Sequence, residues 1–301
     1  MVEVARGKVR RVGWTSVTPG AHVATTAPEL RDALRAWHLV LPTTAAFTHL
    51  TAAALRGWWL PAPVPRPVFV SVSRQDRHPQ RRGLQVDRCG APATELSGGL
   101  PLTGAAETLL ACARDLDLLD LVPMADSALR SGHLDLVELS ELAAGRRPGT
   151  RMLRRVLPLV DARSESPWES VMRVLHGAAG IRVEPQHVVR DAAGGFVARA
   201  DLWLVGTRRL HEYDGEVHRD LDTHRSDLDR DRRLVEAGWQ RCGYTAGEVL
   251  RKGGSIIASA DAVLGRGWDP ERLTAWRALV RASLYGPDGR TRARRRWTTE
   301  C

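Results

Sequence analysis

Lysine is almost missing from this 301-residue chain: Lys8 and Lys252 are the only two among 44 basic residues, and the rest are arginine. Cysteine is sparse too. Cys89, Cys112, Cys242 and Cys301 are scattered without any Cys-x-x-Cys spacing, which argues against a disulfide framework and a structural zinc site and leaves small core residues plus a tail thiol. No apolar run reaches the roughly 18 residues a membrane helix needs, and the opening Met-Val-Glu-Val-Ala-Arg has no signal-peptide core. A cytoplasmic protein with no membrane span is expected.

What is present points to a globular chain with a polyanionic partner. Apolar residues make up 43% and charged residues 26%, and 301 residues suffice for about two domains. The net charge of +9 and pI near 10.3 make nucleic-acid phosphates the natural counterpart, although arginine usage also follows genomic base composition.

The most informative stretch runs from Arg199 to His218. Residues 197–205 are rich in Val, Ala, Leu and Trp, broken by Arg199 and Asp201, and end at Gly206-Thr207, which reads as a mostly buried strand. A second strand, 209–214, closes on Gly215; alternation puts Glu212 and Asp214 on one face, with Cα atoms roughly 7 Å apart. Pairing the two strands brings Asp201 toward both. Three crowded carboxylates repel unless a cation neutralises them, and oxygen ligands suit Mg²⁺ or Mn²⁺ rather than zinc. Spacing alone leaves a structural reading equally open: Asp214-Gly215 is a common turn dipeptide, Asp201 could end an edge strand, and Glu212 could pair with an arginine.

In the first half, residues 2–24 are basic and β-rich, an N-terminal hairpin in preference to the wing of a winged helix. Helices are expected over 29–37 and 48–55, strands over 68–73 and 83–89, and amphipathic helices over 103–114, 117–130 and 134–143. The Pro-rich segment 58–67 excludes regular structure, and Gly145 to Thr150 reads as the linker. Phe47-Thr48-His49-Leu50-Thr51-Ala52-Ala53-Ala54-Leu55-Arg56-Gly57, followed by these elements, resembles the AbiEi-type antitoxin region of actinobacterial proteins. That resemblance covers roughly residues 1–150 and implies a mostly helical α+β domain for regulation and for contact with DNA, a toxin or another partner. Taken alone, His49 reads as a hydrogen-bonding group at a helix start.

The second half opens with Ser166-Pro167-Trp168-Glu169-Ser170, a capping box that by itself accounts for Glu169. A strand over 182–190, the loop 191–195, the two acidic strands, a helix over 223–237 and a last strand over 239–242 follow. This order, with Ser-Pro-x-Glu-Ser, Ala-Asp-Leu, Glu-Tyr-Asp-Gly-x-x-His, Asp227-x-x-Arg230 and Gly238-Trp239, resembles the PD-(D/E)XK nuclease superfamily, and within it the domain family of unknown function related to very-short-patch-repair endonucleases. The resemblance covers residues 165–250. It implies a restriction-endonuclease-like mixed sheet flanked by helices and an Mg²⁺- or Mn²⁺-dependent DNA endonuclease or nickase. By the same resemblance Glu169, Asp201, Glu212, Asp214 and His218 are catalytic, with Asp201, Glu212 and Asp214 as metal ligands and Arg230 and Arg241 on the nucleic acid.

Two departures stand out. Asp214 occupies the place of the superfamily's lysine, and Gly243 that of an arginine before the Tyr244-Thr245 pair, with Arg241 two positions earlier on the same face. The other functional reading is a non-catalytic DNA-binding regulator or antitoxin on a nuclease scaffold; nothing in the sequence separates DNA from RNA. The domain scheme is thus 1–150, 160–265, and a helix with a basic tail over 266–301. That tail carries Arg294, Arg295 and Arg296, lacks apolar periodicity after Gly286-Pro287-Asp288-Gly289, and reads either as a disordered end or as a phosphate-binding arm.

Overall fold

The computed structural model describes residues 2–63, 66–89, 94–215 and 221–297. It is a mixed α+β protein whose sheets are flanked by helices. Two compact units form, neither contiguous in sequence: residues 1–116, 135–154 and 290–301 make the first, and residues 117–134 and 155–289 the second.

The basic N-terminal stretch folds into β1 (Val4–Arg6), β2 (Thr15–Thr18) and β3 (Ala21–Val23), an antiparallel sheet in the order β1-β3-β2. Helix α1 (Leu30–His38) turns Leu34, Ala36 and Trp37 inward. Strand β4 (Ala46–Phe47) leads directly into α2 (His49–Leu55), and β5 (Val68–Ser73), β6 (Leu84–Cys89), β7 (Thr94–Ser97) and β8 (Leu100–Thr103) complete a five-stranded sheet ordered β6-β5-β4-β8-β7. Leu34, Phe47, Val70, Leu100 and Leu102 share its core. The β7–β8 hairpin was not expected; its Gly98-Gly99 link takes φ of 57° and 81°, the left-handed pair that a two-residue hairpin turn demands. Helix α3 (Ala105–Cys112) follows, with Cys112 free and buried.

The domain scheme read from sequence needs two corrections here. Helix α4 (Leu118–Arg130) belongs to the second unit, because Asp126 accepts from Ser170 Oγ and from Arg173, each at 2.6 Å, and Asp120 accepts from the Leu284 amide at 2.9 Å. After α5 (Leu136–Ala144), the expected linker is packed structure: Gly149, at φ 97°, lies so close to α3 that a Cβ would stand 2.7 Å from the Leu110 carbonyl oxygen. The boundary falls within α6 (Thr150–Val156).

The second unit is built on α7 (Pro167–Ala178), β9 (Val183–Arg190), β10 (Phe196–Leu204), β11 (Arg209–Tyr213), α8 (Leu221–Glu236) and β12 (Gln240–Tyr244), the element order expected from the pattern. Strands β9, β10 and β11 form an antiparallel meander, and β12 joins β11 in parallel to give β12-β11-β10-β9. Along β10, Ala198, Ala200, Leu202 and Leu204 are buried while Arg199, Asp201 and Trp203 take the opposite face. Helices α9 (Ala246–Arg251), α10 (Gly253–Val263) and α11 (Thr274–Ala282) complete the unit.

The C-terminal tail is a further correction. Residues 287–297 form α12 (Pro287–Trp297), whose Ala293 and Trp297, one helical turn apart, are both buried. From residue 290 it belongs to the first unit, held at Asp115: Trp297 Nε1 donates to its carboxylate at 2.9 Å, Arg296 Nε lies 2.7 Å from it, and Arg292 Nε donates to its carbonyl at 2.8 Å. Two apolar residues suffice when three polar contacts converge on one buried acid.

Candidate functional site

The β10–β11 register pairs Leu202 with His211, so Asp201 stands opposite Glu212 on the same face of the sheet. The Asp201 carboxylate accepts from the Tyr213 amide at 2.8 Å. Glu169, 5% exposed at the first turn of α7, is close enough that its charge acts on Asp201. Only half of the expected capping box forms: Ser166 Oγ accepts from the Glu169 amide at 3.2 Å, but the Glu169 carboxylate reaches one residue further back, to the Glu165 amide at 2.8 Å. The same oxygen accepts from Gln186 Nε2 at 2.8 Å. Gln186 has φ of 54°, a left-handed conformation rare for a side-chain-bearing residue, here in a strand and on a residue that braces an acidic site.

Burial, then the charge of Glu169, then that of Glu212 raise the Asp201 carboxyl to about 7; the Tyr213 amide and Arg230 only partly oppose them. Carboxylic acids poised near neutrality by burial and like charges cluster at functional sites, and structural networks also produce them. Glu212, 4% exposed, is gripped by two guanidiniums. Arg230 from α8 donates to both of its oxygens, at 3.1 and 2.5 Å, and also to the Arg199 carbonyl at 3.0 Å. Arg241 from β12 donates through Nε to Glu212 at 2.5 Å and through its terminal nitrogen to Asp214. Burial alone would lower the Arg241 pKa; the Glu212 hydrogen bond and the charges of Glu212 and Asp214 raise it instead.

These contacts explain Gly243. It pairs with Glu212 across the parallel β11–β12 ladder, and a Cβ there would collide with the Asp214 carboxylate. Asp214 thus occupies the space that a side chain at position 243 would enter, while Arg241 supplies a guanidinium from two positions earlier. Of the residues singled out from sequence, Glu169, Asp201, Glu212, Asp214, Arg230 and Arg241 converge here. His218 lies outside the described residues. Arg294, Arg295 and Arg296 belong to the first unit, where Arg296 is committed to Asp115.

Sequence reasoning missed Gln186, and it missed a buried histidine pair in the same unit. His176 Nδ1 lies 2.7 Å from the Met172 carbonyl and so carries the proton; its Nε2 then accepts from His211 Nδ1 at 2.9 Å, and His211 Nε2 faces the Tyr244 hydroxyl at 3.4 Å. Burial lowers His176 to about 4, and burial with the neighbouring His176 and Arg209 lowers His211 to about 2, so both rings are neutral at physiological pH. His211 adjoins Glu212 in sequence, and alternation sends it to the other face of the sheet.

No protein-family model matches the chain. Two curated proteins of Mycobacterium tuberculosis are similar to it: the uncharacterized protein MT2308 of strain CDC 1551 / Oshkosh and the uncharacterized protein Rv2248 of strain ATCC 25618 / H37Rv. Each is 31% identical over 181 residues, an alignment covering 58% of this chain and 66% of the relative. The chain therefore spans just under two thirds of the length of the curated relatives it matches.

Proposed function

We propose that the second unit is a divalent-cation-dependent phosphodiester hydrolase acting on DNA, an endonuclease or nickase on a restriction-endonuclease-like sheet. The antiparallel meander with a parallel fourth strand supports that fold, and one observation carries the activity: the Asp201 carboxyl, opposite Glu212 in the β10–β11 register and raised to about 7 by burial and by the charges of Glu169 and Glu212. The donor types suit a hard cation, since every available ligand is oxygen. Arg230 and Arg241 hold Glu212 and Asp214, and Glu169 and Asp201 add two further carboxyl groups with no guanidinium hydrogen-bonded to them among the described residues, a formal excess of two negative charges. Asp201, Glu212, the Tyr213 carbonyl and Asp214 would hold Mg²⁺ or Mn²⁺.

Such a cation, when bound, supplies Lewis-acid stabilisation of phosphoryl charge and eases the ionisation of water. The chain's own residues prepare for it. Asp201 must surrender its proton to become a ligand, which makes cation affinity rise with pH up to about 7. Arg230 and Arg241 are placed to exchange Glu212 for a phosphate, the bidentate partner that a guanidinium fork matches equally well. Glu169, held by the Glu165 amide and Gln186, keeps a fixed negative edge on the site. His218 as a base or phosphate contact rests on the family resemblance.

The guanidiniums on Glu212 and Asp214 also favour a second reading, a non-catalytic DNA-binding regulator in which arginines have permanently taken the cation's place. The experiment is incubation of the purified full chain with supercoiled plasmid in Mg²⁺, in Mn²⁺ and in EDTA. Metal-dependent nicking that Asp201→Ala abolishes supports the hydrolase. Plasmid binding without nicking in either metal selects the regulator. For the first unit, the AbiEi-like phrase around His49 supports a role in regulation or partner contact.

A further inference from the structure

In the first unit a cavity of about 100 Å³ is lined by Thr48, His49, Gln85, Asp87, Arg114, Asp115 and Arg296, with Phe69, Val70, Val86 and Ala111 as apolar walls. One water fills roughly 30 Å³ of liquid, so the space exceeds what a single solvent molecule needs. His49 is 4% exposed, has φ of 53°, and stacks on Phe69 with ring centroids 4.0 Å apart. Gln85 sits beside that Phe69 in the parallel β5–β6 register, and Asp87 two residues on shares its face. The unsatisfied acceptors therefore flank one aromatic ring: His49 Nδ1 and Gln85 Oε1 are buried without a hydrogen-bond partner among the described residues, and the other His49 nitrogen has the Asp115 carboxylate beside it.

Their chemistry narrows the ligand. His49 Nε2 lies 3.3 Å from the Asp115 carboxylate and so carries the ring proton, which leaves Nδ1 as a lone-pair acceptor; Gln85 Oε1 is an acceptor as well. The charges are already matched. Asp87 takes both arms of the Arg114 fork, at 2.8 and 2.7 Å, and Asp115 takes Arg296 at 2.7 Å. A cation would meet two guanidiniums and an anion two carboxylates, so the complementary ligand is uncharged, flat enough for the apolar walls, and rich in N–H donors.

We propose that this cavity binds a single unstacked nucleobase bearing an exocyclic amine: guanine, adenine or cytosine. Thymine and uracil fit poorly, since they set carbonyl oxygens on either side of one N–H and would turn those oxygens toward unused acceptors. The site is independent of the carboxylate cluster in the other unit, and its base arrives either as a free nucleoside or within a single strand.

The test is saturation-transfer NMR on the full chain with adenosine, guanosine, cytidine and thymidine in turn, and then with single-stranded tetranucleotides of each base. At least one amino-bearing nucleoside should bind about tenfold or more tightly than thymidine, the discrimination expected when buried polar groups are left unpaired. Transfer to tetranucleotides alone assigns the site to a strand, and transfer to nucleosides alone to a free ligand. Gln85→Leu should weaken binding about tenfold or more, whereas Gln85→Glu, which keeps the acceptor, restores it. Asp201→Ala should leave binding unchanged. The proposal is overturned if neither set of probes shows transfer at millimolar concentration, which leaves a cavity holding water only. It is equally overturned if thymidine binds as well as the others, or if Asp201→Ala abolishes binding that folded Gln85→Leu retains.

Discussion

Asp115 in the first unit and Asp201 in the second are both aspartates withdrawn from solvent, and their carboxyl groups move in opposite directions. Burial raises the pKa of each. At Asp115, His49, Trp297 and Arg296 contribute hydrogen bonds and opposing charge that more than cancel burial, and the pKa ends below the ordinary value. At Asp201 the charges of Glu169 and Glu212 add to burial and, against the Tyr213 amide and Arg230, carry it to about 7. Burial therefore does not by itself set the direction in which a withdrawn acid moves. Whether the neighbours complete the carboxylate or crowd it does.

The sharpest way to break this contrast is to remove each acid in turn. Asp201→Ala should reduce Mg²⁺-dependent plasmid nicking to background, a larger loss than the ~10–100-fold typical of an outer-shell group, with the far-UV circular dichroism unchanged. Nicking at the wild-type rate would place the chemistry elsewhere. Asp115→Ala should instead leave nicking intact in folded protein and cost stability, about 1–3 kcal/mol in urea denaturation, because the buried Trp297 indole loses its acceptor, while the half-exposed Arg296 adds little. Truncation after Gly289 removes the same contacts from the other side. The two losses should be strongly non-additive when combined.

Titration compares the pair without disrupting either. Because the folded pKa of Asp201 is raised, its contribution to stability is full below about pH 4 and is lost as pH rises to about 7, where the unfolded chain ionises freely and the folded one does not. The stability difference between wild type and Asp201→Asn should shift against the wild type by up to ~4 kcal/mol over that window. Millimolar Mg²⁺ should flatten the change. Asp115, with its pKa lowered, behaves in the reverse sense: its contribution is present above its ordinary value and fades as pH falls below it. A flat wild-type difference between pH 4 and 7 would mean that Asp201 is completed by a partner, like Asp115.

The smallest effect expected is on stability in Glu169→Gln. The amide oxygen can still accept from the Glu165 amide and Gln186, so unfolding should change by less than ~1 kcal/mol, while nicking falls markedly with the lost charge. Unchanged nicking would reduce Glu169 to a helix-start anchor.

Local pattern was enough for much of the second unit. Alternation along 197–205 and 209–214, the Ser166-Pro167 start and the Gly238 stop define α7, the meander, α8 and β12, because each is set by side-chain period and turn chemistry within a few residues. The same alternation brings Asp201 and Glu212 together once the strands pair. In the first unit it yielded β5 and β6 but overlooked β4, too short to alternate, and the β7–β8 hairpin, although Gly98-Gly99 signals its turn.

The chain by itself determined where the carboxylates and the strands of the second unit fall, since both follow from residue type and short-range spacing. Only the tertiary structure decided what each charge does. Arg296 looked free because its partner Asp115 lies 181 residues earlier, and Glu212 looked available because Arg230 and Arg241 reach it from another helix and strand. His49 looked like a helix-start group because the cavity beside it is closed by residues as distant as Gln85, Arg114 and Arg296. Whether a buried charge is completed or left crowded depends on the field of neighbours at a few ångströms, and those neighbours are chosen by packing.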